Sequence, residues 1–236
     1  MDLKEADLVA DAGRHWYYRA KTAAMLRLLD GVTASDILDV GAGSGLFSRA
    51  MLRRTDAARA VCVDPGYAAD HDDDVRGKPL LFRRAVGRSA ADLVLMMDVL
   101  EHVADDRALV ASYVARVEPG TRFLVTVPAF RWLWSRHDAL LEHHRRYTLR
   151  EVEQALSAAG LRVTSGCYFY AGVLPLAAVS RKLGDLLRPR APARSQMADL
   201  PAPVSALLTA ICGIELGVMR HNRLGGLTAC VVAVKP

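Results

Sequence analysis

Three groups of residues in this chain have types and spacing suited to chemistry. The first is Asp39-Val40-Gly41-Ala42-Gly43-Ser44-Gly45, an acid followed by glycines at alternate positions. Glycine takes backbone conformations closed to other residues and lets a ligand approach the main chain. The helix expected to follow offers free N–H groups at its start. A second apolar run ends in Asp64-Pro65, and an acid at the tip of a neighbouring strand can accept both hydroxyls of a ribose. Asp39, Gly41, Ala42, Gly43, Gly45, Asp64 and Pro65 are therefore candidate cofactor-binding residues. The second group is Asp98-Val99-Leu100-Glu101-His102. A carboxylate beside a histidine raises its basicity and fixes its tautomer. The same spacing places Asp98, Glu101 and His102 as a candidate divalent-metal set, while the bland alternative is a helix cap with packing residues. The third group lies between Phe130 and Tyr147. His137 and His143 are candidate general bases with His102 behind them, Trp132 and Trp134 offer a substrate surface, and Arg145 and Arg146 can hold an acidic group. Alternatively, Asp138, Arg146 and Tyr147 knit this loop to the core. Near the N-terminus, His15-Trp16-Tyr17-Tyr18-Arg19-Ala20-Lys21 interleaves aromatic rings with cations that can cover an anionic or aromatic ligand.

The elements that position these groups follow from hydrophobic spacing. The spacing predicts a helix within 1–30, a strand at 36–40, a helix near 45–54 and a strand at 60–63. Leu80-Leu81-Phe82 opens a third strand, and 91–97 and 122–128 read as buried strands. A helix is expected over 108–117. Thr148 and Glu151 form a capping box that opens a helix closing at Ala159-Gly160, before a strand from Leu161. Residues 171–222 hold two apolar helical segments around a polar stretch, 188–195, that reads as a mobile loop, and 228–236 is a last strand. Asp72-Asp73-Asp74 reads as a solvated loop or helix start. The alternation of strands and helices makes a doubly wound α/β sheet in one domain.

The chain has 236 residues, a formal net charge of +5 and 52% hydrophobic residues, as expected of a globular domain rather than a disordered chain. Its arginines are scattered, and the lack of a Lys/Arg block argues against a nucleic-acid partner. Cys62, Cys167, Cys212 and Cys230 lie far apart among apolar residues, which points to buried reduced thiols and a cytoplasmic protein. The N-terminus lacks the apolar core of a signal peptide, and no apolar run is long enough for a membrane span.

The first group has neither the Gly-x-Gly-x-x-Gly of dinucleotide binders nor the Lys-Ser/Thr of a P-loop. It resembles the first motif of class I S-adenosylmethionine-dependent methyltransferases. Asp98-Val99-Leu100-Glu101-His102-Val103, the Pro119-Gly120 turn before a strand ending in Val127-Pro128, and Trp134-Ser135-Arg136-His137-Asp138 with His143-His144-Arg145-Arg146-Tyr147-Thr148 are similar to a branch of small bacterial members near the quinone and secondary-metabolite methyltransferases. The resemblance implies a Rossmann-like, seven-stranded sheet whose last strand is antiparallel, preceded by a helical insertion. It implies S-adenosylmethionine as cofactor and S-adenosylhomocysteine as product. Asp39 and the glycines would hold the methionine and ribose end, Met97 and Asp98 are further cofactor-binding candidates, Asp98, Glu101 and His102 could line the methyl-donor end, and Tyr17 and Arg19 would close over the cofactor. Many relatives carry an adenine-binding acid after the third strand; none stands there in this chain. The expected acceptor is a small or amphipathic compound presenting an O or N nucleophile, with Trp132, Trp134, Arg145 and Tyr147 on its side. The 171–222 segment is expected to cap the site, form a dimer face, or lie on a membrane surface with Arg181, Lys182, Arg188 and Arg190 towards the lipid. Two other readings are a cofactor-binding scaffold without catalysis and an NAD(P)-dependent oxidoreductase; the glycine spacing counts against the latter.

Overall fold

The computed structural model describes Gly13, residues 15–187 and residues 200–236, with side chains to Arg181 and again from Leu200. The start of the expected 1–30 helix, the 188–195 loop, and the lipid-facing roles expected of Lys182, Arg188 and Arg190 fall outside the described residues. Helix α1 (Trp16–Leu28) begins where the His15 ring accepts from the Tyr17 N–H, and the chain reverses at Gly31, whose φ is +79°. Strand β1 (Asp36–Val40) runs through the glycine turn into α2 (Leu46–Arg54). β2 (Arg59–Val63), β3 (His71–Val75), β4 (Lys78–Arg83) and β5 (Leu93–Met97) follow. A 3-10 turn (Leu100–His102) leads to α3 (Asp106–Val114) and β6 (Arg122–Pro128). Then come α4 (Arg136–Leu140), α5 (Leu149–Ala158), β7 (Arg162–Phe169), α6 (Leu174–Leu187), α7 (Ala202–Glu215) and β8 (Thr228–Val234).

The strands form one sheet in the order β3-β4-β2-β1-β5-β6-β8-β7. β4, β2, β1, β5 and β6 are parallel, and β8 is inserted antiparallel beside β6. Val40 lies between Val63 and Met96 in register. The chain order reverses across β1 and β5, so the carboxyl ends of β1, β2 and β5 meet in the crevice where open α/β sheets take ligands. Successive residues of the central strands feed opposite faces. Leu38, Val94, Met96 and Val125 pack with Val152 and Leu156 of α5, whereas Ile37, Leu93 and Leu95 pack with Phe47 and Met51 of α2 and Met25 of α1. That two-sided burial explains the unbroken apolar runs of these strands. A third cluster joins α1 to α7 over Cys167, Phe169 and Tyr170. The Glu215 carboxylate, at the end of α7, accepts the Ala171 and Gly172 N–H groups at 2.8 and 3.3 Å and so fixes the approach to α6.

The sheet has eight strands, not seven, because the acidic run is itself a strand. β3 pairs antiparallel with β4 through a two-residue turn in which Arg76 and Gly77 both have positive φ, +58° and +77°. That is the turn twist favoured between antiparallel strands. The Asp74 carboxylate accepts the Gly77 N–H at 2.8 Å, Asp73 pairs with Arg49, and Asp72 pairs with Arg83. Only Val75 of this strand is buried. Its acids are solvated as expected, on an exposed edge that their charge keeps from pairing further.

Candidate active site

The glycine turn is built for close approach. Gly41, Gly43 and Gly45 have φ of +63°, +51° and +69°, in the left-handed region costly for other residues. A Cβ on Gly41 would come within 2.8 Å of Val99. The Gly41 and Ala42 N–H groups donate to Val63 O at 2.7 and 3.3 Å, which binds the turn to the tip of β2. Asp64 stands at that tip: its carboxylate accepts the Gly43 N–H at 3.1 Å and the Gly66 N–H at 2.9 Å, with Pro65 exposed beside it. Asp39 is 1% exposed. Its Oδ2 accepts the Ser48 hydroxyl at 2.8 Å, while Oδ1 has no partner. Burial pushes its pKa up to about 6. A buried carboxylate oxygen without a donor is costly, and a cationic or hydrogen-bond-donating group of a ligand would complete it. An ammonium for Asp39, a diol for Asp64 and main-chain contact along the glycines suit a cofactor of amino-acid and nucleoside parts. Tyr67, which the sequence reading did not single out, donates its hydroxyl to Gly43 O at 2.7 Å and braces the turn.

Asp98 sits past the end of β5 with φ +59°, a strained conformation that persists only where its surroundings hold it. Thr126 Oγ1 donates to Asp98 Oδ1 at 3.1 Å, and Lys21 of α1 forms an ion pair with its other oxygen. Met97, just before it, is 2% exposed. Burial opposes the Lys21 charge, but the Asp98 carboxylate outweighs it, and the lysine pKa is raised. Lys21 also donates to the Tyr17 hydroxyl at 3.4 Å, one helical turn earlier; the sequence reading quoted Lys21 only among the cations of this segment, and its i,i+4 spacing from Tyr17 was the signal for this bond. Tyr17 stacks on Tyr170 with centroids 5.0 Å apart. Arg19 faces away from Asp98 into a separate cavity behind α1.

Beyond Asp98 the 3-10 turn buries Glu101 completely. Neither of its carboxylate oxygens has a partner, and burial, then the Asp98 charge, holds its pKa well above the ordinary range. The His102 and His143 rings meet edge to face at 4.7 Å. Ligand atoms of Glu101, His102 and His143 all lie within 4.8 Å of one another. His143, not Asp98, thus completes the group around Glu101 and His102, because Asp98 is committed to Lys21. Asp138 accepts from Arg146 Nε and Nη2 at 2.6 and 3.0 Å and lies 3.0 Å from His143 Nδ1. Burial alone would raise the Asp138 pKa, but these bonds lower it. Ser135 and Asp138 also form a capping box that starts α4.

These contacts sort the loop between β6 and α5. Arg146 is structural as well as site-lining: it grips Asp138 and donates to Ala129 O at 3.1 Å. Tyr147 is buried, donating to Asp106 at 2.8 Å and Leu100 O at 3.1 Å, and Arg145 bonds Ala104 O at 2.6 Å. Arg145 and Tyr147 clamp the loop to the 3-10 turn, outside the cavity wall. Trp132 and Trp134 are on the surface, 54% and 38% exposed. A cavity of about 470 Å³ runs from Tyr17 and Asp98 past Glu101, His102, His137 and His143 to Leu176 and Arg181 of α6 and Val204 and Leu208 of α7. Burial, and then Arg146, lowers the Arg181 pKa to about 10. All four cysteines are free and buried, and no described helix is long and apolar enough to cross a membrane.

The methyltransferase-domain family profile matches residues 13–165, well over half of the chain. A ubiquinone biosynthesis O-methyltransferase of Rhizobium etli is 29% identical over 162 residues, covering 56% of this chain and 63% of that protein. The chain thus spans under two thirds of that relative's length. Among solved structures, the phosphoethanolamine N-methyltransferase 2 of Haemonchus contortus, in complex with S-adenosyl-L-methionine, has a TM-score of 0.54 at 13% identity, covering 92% of this chain and 52% of that one. The (4+2) cyclase SpnF has a TM-score of 0.57 at 15% identity, covering 96% and 85%. At such identities the structures share the fold alone. The profile, matched across the glycine turn, the Asp98–His102 segment and the histidine loop, is the stronger finding: this chain belongs to the methyltransferase-domain family.

Proposed function

We propose that the chain transfers the methyl group of S-adenosylmethionine to an oxygen or nitrogen nucleophile on a small amphipathic acceptor. The observation that carries this reading is the cavity joining Asp98, next to the glycine turn, to a histidine held by a buried aspartate. The Asp39 carboxylate takes the ammonium of the cofactor's methionine part, and Asp64 its ribose hydroxyls. Asp98, fixed by Lys21 and Thr126, closes the inner end of the acceptor cavity. The cofactor when bound supplies a methyl group already activated on a sulfonium. The chain's remaining tasks are alignment, exclusion of water and removal of one proton. Asp138 receives the Nδ1–H of His143, which leaves Nε2 free to accept the proton of the acceptor's hydroxyl or ammonium group. Glu101 and His102 border that position. α6, α7 and the histidine loop keep water out.

The acceptor's apolar body lies against Leu176, Val204 and Leu208. The same two helices also expose Val179, Leu207 and Ile214, at 56%, 60% and 79%. Arg181 donates to Leu133 O at 3.0 Å, so α6 adjoins the segment with exposed Arg131, Trp132 and Trp134. Apolar and aromatic side chains mixed with arginine suit a lipid surface carrying negative charge, from which a lipid-soluble acceptor enters.

The reading is tested by incubating the chain and cell extract with isotopically methyl-labelled S-adenosylmethionine and identifying labelled products by mass spectrometry. A labelled small molecule, with its rate cut about 10²–10⁴-fold by His143→Asn, supports it. No labelled product sinks it, and a rate abolished by EDTA and restored by magnesium would instead assign Glu101, His102 and His143 to a metal.

A further inference from the structure

A second cavity, of about 320 Å³, lies where α1, α2 and α7 meet. It shares no lining residue with the acceptor cavity; α1 is the wall between them. Tyr17 faces the acceptor side, and Tyr18, Arg19 and Thr22 face this one. Its floor is apolar, with Leu46 and Ala50 of α2 and Leu216 just after α7. Its rim carries Arg19, Arg53 and Arg54, all exposed. No described acidic residue lines it. None of the three guanidinium groups makes an ion pair or hydrogen bond among the described residues, whereas neighbouring Arg49 is paired with Asp73. The Thr22 side chain, 6% exposed, also makes no hydrogen bond among them.

We propose that this cavity binds an organic anion, a phosphate or carboxylate on an apolar body, at a site distinct from catalysis. Three cations around one opening repel each other until an anion joins them, and guanidinium forks match the oxygens of phosphate and carboxylate. The floor has no charge to bond, so it takes the apolar end. An occupant touches α2 at the residue following Gly45, and α1 on the face opposite Lys21. The site therefore abuts both helices that frame the cofactor turn.

Gly213 gives a steric test, because a Cβ added there meets nothing within 4 Å. Gly213→Leu fills the cavity and raises helix propensity; Arg53→Glu with Arg54→Glu reverses the rim charge. Isothermal titration of the full chain with octyl phosphate, inorganic phosphate and octanol separates the contributions. Octyl phosphate is expected to bind at least about tenfold tighter than either fragment, and each variant to weaken it at least about tenfold, with circular-dichroism melting curves like the wild type. Equal binding by octanol removes the role of the arginines. Equal binding by inorganic phosphate removes the role of the floor. Unchanged octyl phosphate affinity in both folded variants overturns the site. Should one variant unfold, the other decides alone.

Discussion

Asp39 and Asp98 are both acids at the ends of central strands, but their surroundings give them different properties. Asp39 is buried with one oxygen unpartnered, and its pKa is about 6 when folded against 3.8 for a free side chain. Between those values the folded chain holds a proton that the unfolded chain has lost. Stability must therefore fall as pH rises from about 4 to about 6, by about 2–3 kcal/mol from this group. Thermal midpoints measured across that range should show a steeper decline in the wild type than in Asp39→Asn; parallel curves would contradict the assignment. Asp98 is instead part of an ion pair whose lysine is 3% exposed and whose carboxylate is 29% exposed. Asp98→Asn strands a buried ammonium and should cost about 3–5 kcal/mol in urea unfolding. Lys21→Met leaves a carboxylate that water still reaches and should cost less, and the double variant should recover part of the Asp98→Asn loss. At this scale the sequence disclosed the acids and glycines, because their backbone demands are local. It did not disclose the pairing of Lys21 with Asp98, which stands past the end of β5, or that Arg19 turns away.

Elements were legible where a local signal sets them. Thr148 and Glu151 form the expected capping box, with the Thr148 N–H donating to Glu151 at 2.6 Å. The buried strands matched their apolar runs. β3 was hidden because its residues are acidic and its turn begins with Arg76, whereas positive-φ turns usually use Asn, Asp or Gly; pairing with β4 and charges from Arg49 and Arg83 override that local composition. The histidine loop was legible as a cluster of titratable residues but not in its contacts, since Asp138, Arg146 and His143 meet only after the chain folds back. Asp138→Ala leaves Arg146, 7% exposed, without its carboxylate. It should destabilise the chain by about 3–5 kcal/mol and lower turnover through a mispositioned His143, read as a fall in kcat larger than any change in KM. Normal turnover in the folded variant would remove Asp138 from the proposed mechanism.

For the whole molecule, the doubly wound sheet followed from the alternation of elements, while the arrangement of α6 and α7 did not, since apolar helices of that length pack in many ways. Both helices line the acceptor cavity and also expose apolar residues. Leu207→Glu with Ile214→Glu should reduce co-sedimentation with vesicles containing phosphatidylglycerol at least about fivefold, with an unchanged elution volume on gel filtration. A wild type that elutes as a dimer and a variant that elutes as a monomer would assign that face to a second copy of the chain.

The proposed methyl transfer depends on the glycine turn and its two acids holding the methyl donor. The most direct measurement is isothermal titration of S-adenosylhomocysteine into the wild type and Asp64→Ala. Saturable one-to-one binding by the wild type, weakened about 10–100-fold when the two hydroxyl contacts are lost, is the predicted result. No binding by the wild type, or equal affinity in a folded Asp64→Ala variant, would contradict it.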